Sequence, residues 1–236
     1  MKKLIFSVLI LAILLGVGYL TFKGRMPVLS EMIYKQVELD VKETPDEMYN
    51  YYDEIGYVNN LKGDEPKSGE LVFEGGIEIE HTFTQSEINS WIAAWEGEWA
   101  DLPFKNSQIR INSDGTVEAS SLITVSTAES FAKTLGYTDE EISKAKNYIK
   151  FMPELLPLYA KGTAAITENN TMVEIQDFKI AGYTVPSTLY SGLSSILESL
   201  TERTRKLSDY TDVASAIVTS EGVSFKGTVP ASVNVK

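Results

Sequence analysis

FTQSEINSWIAAWEGEW, residues 83–99, holds all three tryptophans of the chain and opens with a complete helix-start signal. Thr84 is placed to act as N-cap: its hydroxyl accepts the otherwise unpaired N–H of Glu87, whose carboxylate reaches back to the Thr84 N–H. Phe83 and Ile88 occupy the two positions of a hydrophobic staple, which fixes how the chain turns into the helix. Beyond them Ile88, Trp91, Ile92, Trp95 and Trp99 recur at helical spacing and share one face, while Glu87, Asn89, Glu96 and Glu98 fall mostly elsewhere. The stripe reads first as a core helix laid against a sheet. Its second reading is the lining of a groove for an acyl chain or another apolar ligand, and these five residues are then the candidate binding set. Each indole also carries an N–H that needs a partner.

Strand signals surround this helix. Residues 71–82 alternate Ile77 and Ile79 with Glu78 and Glu80, and Gly75-Gly76 marks a bulge or bend. Residues 108–112 and 116–125 form a hairpin about Ser113-Asp114-Gly115, with Val117, Ala119, Ser121, Ile123 and Val125 on its inner face. Two capping boxes follow, Ser126 with Glu129 and Thr138 with Glu141; the second helix carries Ile142, Ala145, Ile149 and Met152 on one face before Pro153. A second hairpin turns at Asn169-Asn170. Pro186 then opens a long helix to about Ser208, apolar along Leu189, Leu193, Ile196, Leu197, Leu200 and Leu207. Glu198 with Arg205 and Glu202 with Lys206 are expected on its outer side. A third hairpin, 213–219 and 223–229, turns at Glu221-Gly222.

This order predicts an α+β fold: a curved antiparallel sheet of hairpins packed on the tryptophan helix and the long C-terminal helix. No linker divides residues 70–236, which read as one extracytoplasmic domain. Residues 26–69 form a juxtamembrane segment. In it, residues 33–41 suit helix or strand, and Thr44-Pro45-Asp46-Glu47 starts a short helix that stops at Gly56.

The first 25 residues hold Lys2, Lys3, Lys23 and Arg25 and no acids; without these four, 17 basic residues face 33 acidic ones, a net charge of −16. So acidic a body repels nucleic acid and anionic head groups. Residues 4–22 (LIFSVLILAILLGVGYLTF) are uncharged and mostly apolar, close to the roughly 20 that span a bilayer. Their unbroken length and the lack of an Ala-x-Ala site predict a retained single-pass anchor with a cytoplasmic N-terminus. A signal cleaved near Gly16-Val17-Gly18, giving a secreted body, is the alternative. There is no cysteine, hence no disulfide and no lipoprotein attachment site.

Catalytic signatures are missing. His81 is the only histidine, so no multi-histidine metal site or structural zinc is expected, and no nucleophile-elbow pattern accompanies any serine. Phosphate-binding glycine loops and calcium loops are absent from the sequence, and no cofactor is implied. Glu78 and Glu80 read as a solvated strand face rather than a glycosidase pair, and His81 as partly exposed or hydrogen-bonded. We expect a protein that is not an enzyme.

The strand leading into TFTQSEINSW, after a short N-terminal anchor, resembles the YpmS-like and LmeA-like bacterial envelope proteins. Those families pair an "LT-x-x-E-L/I-N" element with later strands, a "G-x-x-V-P" step and a helix leading to a terminal hairpin. The matching pieces are Thr84, Glu87, Ile88 and Asn89, then Gly182-Tyr183-Thr184-Val185-Pro186, then residues 222–230. The resemblance covers residues 70–232 in outline. It implies a cell-envelope protein whose curved sheet and helix enclose a lipid-accommodating cleft, and it implies no catalytic residues. Three functions remain open: a membrane-anchored domain binding lipid or another apolar ligand; an envelope assembly or protein-interaction module docking through a sheet face or edge; and a cell-wall hydrolase with convergent carboxylates. Expected partners are the membrane, through residues 4–22, and lipid or envelope proteins.

Overall fold

The computed structural model describes residues 35–41, 46–61, 63, 65–143 and 154–236. No described helix is long and apolar enough to cross a membrane. The expected anchor at residues 4–22, the Thr44-Pro45 helix start and the Ala145–Met152 part of one amphipathic face lie outside the described residues.

The protein is a mixed α+β structure built on one large, open, mostly antiparallel sheet. Helix α1 (Glu47–Ile55) ends at Gly56, whose φ of 74° supplies the left-handed cap expected of a glycine there. A two-residue strand β1 (Val58–Asn59) and the long β2 (Leu71–Phe83) lead into α2 (Gln85–Glu98). Strands β3 (Phe104–Ile111) and β4 (Val117–Thr124) form the first hairpin, followed by the short α3 (Ala128–Thr134). Strands β5 (Leu155–Thr167) and β6 (Asn170–Ile180) form the second, and β7 (Tyr183–Thr184) returns against β6. A 3-10 turn at Ser187–Leu189 after Pro186 then leads into α4 (Tyr190–Arg205), and β8 (Asp212–Val218) and β9 (Val223–Val235) close the chain.

All three hairpins form, with local corrections. The second turns at Glu168-Asn169, one residue earlier than expected, where both residues have positive φ (49° and 63°); two left-handed residues in a two-residue loop match the twist of the flanking strands. Gly75 bends β2 at φ 67°, yet the register with β9 is the same on either side, so the bend inserts no residue. The Ser126–Glu129 box does not cap α3. Thr127 is its N-cap, and the Ser126 hydroxyl donates to Glu154 instead. The Thr138–Glu141 box forms in both directions. Residues 35–41 are neither helix nor strand.

Two strands organise the sheet. β9 pairs with β2 from Val223 to Val235, which joins the first long strand to the last, and on its other side meets β8 and then β1. β5 pairs with β6 along one side; on the other it meets β4 over Leu155–Gly162 and β8 at Ala165–Thr167.

Both long helices lie against sheet edges. Among the described residues β3 pairs only with β4, and its outward N–H groups are accepted in succession by side chains of α2. Ile111 N–H donates to Gln85 Oε1 (2.8 Å), Ile109 N–H to Asn89 Oδ1 (2.8 Å) and Ser107 N–H to Glu96 Oε1 (3.0 Å). The Asn89 amide donates back to the Ile109 carbonyl at 2.8 Å. Likewise α4 covers β6: Ile175 N–H donates to Ser194 Oγ (3.3 Å) and Val173 N–H to Glu198 Oε1 (3.1 Å). Glu198 therefore serves the sheet rather than Arg205, whereas Glu202 and Lys206 pair as expected at 2.5 Å.

This docking corrects the reading of the tryptophan helix. The buried residues of α2 are Asn89, Ser90, Ala94 and Glu98, with Asn89 only 1% exposed; of the indoles, only Trp99, at the C-cap, is buried, while Trp91 and Trp95 are not. An outward strand N–H needs an acceptor, and an indole offers only a donor. The amide and carboxylate face therefore takes the sheet edge.

The core falls into separate clusters. Leu193 of α4 packs with Leu156, Ile175, Phe178, Ile180 and Val185; Met48, Tyr51 and Tyr52 of α1 pack on Ile79; and Trp99 joins Leu61, Leu71 and Val233. The β4 pattern also differs from expectation. Ile123 packs toward α4, but the most buried residues of β4 are Glu118, Ser120 and Ser121. Residues 35–41 run along the Glu118–Ser120 face: Leu39 N–H donates to Gln108 Oε1, and Leu39, itself buried, offers its carbonyl to Arg110.

Candidate functional site

Helix α2 presents its indoles beside α1, and the two helices meet over a buried carboxylate. Trp91, Trp95 and Trp99 form an edge-to-face series with centroids 6.3 Å apart at each step, continued by Phe131 and Phe104 at 5.9 Å per step. Burial splits the series. Trp99 is 2% exposed, donates its Nε1–H to the Gly69 carbonyl at 3.3 Å and is core. Trp95 is half-buried, and Trp91 stands 44% exposed. Ile88 and Ile92 are half-buried.

The tyrosine-rich run of α1 completes the site. The rings of Tyr52 and Tyr57 lie 4.4 Å apart, and Tyr49 meets Tyr52 edge-on at 6.3 Å. Glu98, 6% exposed, accepts from the Tyr49 hydroxyl and from Asn59 Nδ2 (2.6 Å). No lysine or arginine among the described residues pairs with it. A carboxylate taken out of water with neutral donors alone is an unusual arrangement. Burial holds the Tyr49, Tyr52 and Tyr57 hydroxyls above their ordinary titration range, and the nearby Glu98 charge adds to this for each. Opposing it at Tyr52 are the indole N–H groups of Trp95 and Trp91. Neither closes a hydrogen bond: the Tyr52 hydroxyl and Trp95 Nε1 are buried polar atoms without a partner among the described residues. The arrangement therefore offers an apolar, solvent-open wall at Trp91, unpaired donors behind it, and a buried negative charge at its base.

Sequence reasoning named Trp91, Trp95, Trp99, Ile88 and Ile92, but the structure divides them between surface and core. It missed Tyr49, Tyr52, Tyr57, Asn59 and Glu98. The signal for the tyrosines was the density of YNYYDEIGY at residues 49–57; Glu98 carried none, since a charged residue is normally exposed.

Two other polar clusters are internally satisfied. His81 Nε2 lies 3.2 Å from Glu87 Oε1, its ring stacks on Tyr51 at 4.5 Å, and it meets Phe83 edge-on. Burial works to raise the Glu87 carboxyl, but the Thr84 N–H and hydroxyl and then His81 outweigh it and bring it below the ordinary range. Glu118 is ion-paired with Arg110 and accepts from Tyr159 (2.5 Å) and Asn112 (3.2 Å); with its lone pairs taken, it braces β3, β4 and β5. Glu78 and Glu80 are exposed, and Glu80 meets Lys226 Nζ at 2.9 Å. Among the described residues, no group of three or more acidic, histidine or cysteine side chains is arranged to hold a metal ion.

Comparison of the chain with protein-family models, with curated proteins and with solved structures returned no match.

Proposed function

We propose that the protein is a membrane-anchored, extracytoplasmic, non-enzymatic domain that binds a lipid or another apolar ligand against the Trp91–Trp95 face of α2. The observation that carries this reading is Trp91. It is 44% exposed at the open end of a continuous aromatic series. Behind it, the Tyr52 hydroxyl and Trp95 Nε1 lack partners among the described residues. An apolar wall with a few convergent polar atoms is the composition of a small-molecule site, and an amphipathic indole suits the boundary between an acyl chain and its polar end. The anchor at residues 4–22 and the YpmS-like and LmeA-like resemblance at Thr84, Glu87 and Asn89 agree with an envelope setting.

The test is native mass spectrometry of the full chain purified in mild detergent. A stoichiometric lipid-class adduct, present in the wild type and lost in Trp91→Ala, is the expected result; a wild type without any adduct refutes the reading. Fractionation of a tagged full-length protein tests the anchor: recovery with membranes is expected, and a soluble, shortened form shows signal cleavage.

A second reading, an envelope assembly module, is favoured by a different feature, the exposed edge of β2.

A further inference from the structure

The sheet has three long flanking strands, and the fold treats them differently. The edge of β3 is closed by Gln85, Asn89 and Glu96 of α2, and that of β6 by Ser194 and Glu198 of α4. The third, β2, spans Leu71–Phe83 and among the described residues pairs only with β9. Among the described residues no side chain hydrogen-bonds to its backbone, and Glu74, Gly75, Gly76, Glu78 and Glu80 are exposed. A row of unpaired N–H and C=O groups on a long edge is a template for another strand. Hydrogen bonds alternate along an antiparallel ladder. Counting from the bond that Thr219 N–H donates to the Gly222 carbonyl at the β8–β9 turn, the N–H groups of Glu78, Glu80 and Thr82 point away from β9.

We infer that the outer edge of β2 docks an extended, basic polypeptide segment, which adds as a further strand to the sheet. The charge of the β2 edge selects this occupant. Glu74, Glu78 and Glu80 line the solvent-facing side of the edge, and among the described residues only Glu80 has a cation, Lys226, in contact. Lysine or arginine at alternate positions of an incoming strand would stand opposite these glutamates, where cross-strand charge pairs are favourable. A second copy of the chain would bring glutamate against glutamate, so the same residues that attract a basic strand disfavour self-association. Strand addition takes affinity from main-chain bonds and specificity from alternate side chains, and the β2 edge supplies both. This inference is independent of the ligand at Trp91.

Hydrogen–deuterium exchange on the full chain, with and without a synthetic nine-residue peptide alternating threonine and lysine, tests it. The peptide is expected to slow exchange across residues 72–82 and to leave the amides of Ile109 and Val173 unchanged. A peptide of the same sequence, N-methylated at alternate residues, is expected to give no protection. Glu74→Lys with Glu78→Lys should weaken binding by about tenfold or more. Glu78→Pro removes one outward donor without touching the β9 ladder and should abolish protection while leaving the melting temperature near that of the wild type. The inference is overturned if β2 gains no protection, if the N-methylated peptide binds equally well, or if protection arises from dimerisation in sedimentation without the peptide. Should Glu78→Pro fail to fold, the charge-reversal variant and the N-methylated peptide still decide.

Discussion

Asn89 of α2 and Ile109 of β3 exchange two hydrogen bonds of 2.8 Å, the side-chain amide standing where the peptide group of a neighbouring strand would stand. Gln85 and Glu96 continue the same substitution at Ile111 and Ser107. A helix here completes the pairing of a sheet edge, and its polar face is consequently its buried face.

Asn89→Ala removes both bonds and leaves the part-buried N–H and C=O of Ile109 unpaired. Orphaning such groups costs about 1–3 kcal/mol each, so a loss of about 2–4 kcal/mol in urea unfolding is expected. Asn89→Asp keeps the acceptor, and should lose less.

Trp91, within α2, and Trp99, its C-cap, should respond differently. Trp99→Ala empties a site packed among Leu61, Leu71 and Val233 and is expected to cost about 3–5 kcal/mol. Trp91→Ala should change stability by less than about 1 kcal/mol while removing the adduct seen by native mass spectrometry. Equal stability losses would place both indoles in the core.

Tyr49→Phe deletes one of the two side-chain donors that the described residues offer to buried Glu98. Hydrogen bonds to charged groups contribute about 1.5–3 kcal/mol; with Asn59 still in place, a loss of about 1–2 kcal/mol is expected. Glu98→Gln should reduce that loss, because the charge that needs the phenol is gone. A double-mutant cycle measures the coupling.

Glu87 gives the acid limb of the stability curve a defined sign. Its folded carboxyl titrates below the ordinary value of 4.5, held there by Thr84 and His81 against burial. A group with a lowered folded pKa contributes stability that is fully present above its unfolded value and is lost as the pH falls through the folded one. Melting temperature should therefore decline below about pH 4.5 more steeply in the wild type than in Glu87→Gln. Parallel curves would show that the cap does not depend on charge.

Local rules in the sequence determined much of this protein. The Thr84–Glu87 box, the Gly56 stop, the hairpins and the α+β class follow from contacts within a few residues, which pattern and turn chemistry encode directly. Tertiary structure alone decided the partners of those elements. β2 and β9 pair across some 150 residues, and α2 turns Asn89 rather than Trp91 to the sheet. Glu98 becomes a buried carboxylate only once α1 folds over it. The stripe of indoles is apolar enough to suggest a core, but a strand edge needs hydrogen-bond acceptors, and that need is not visible until β3 lies beside the helix. Periodicity shows which residues share a face; the unsatisfied backbone groups of a distant strand decide which face is buried.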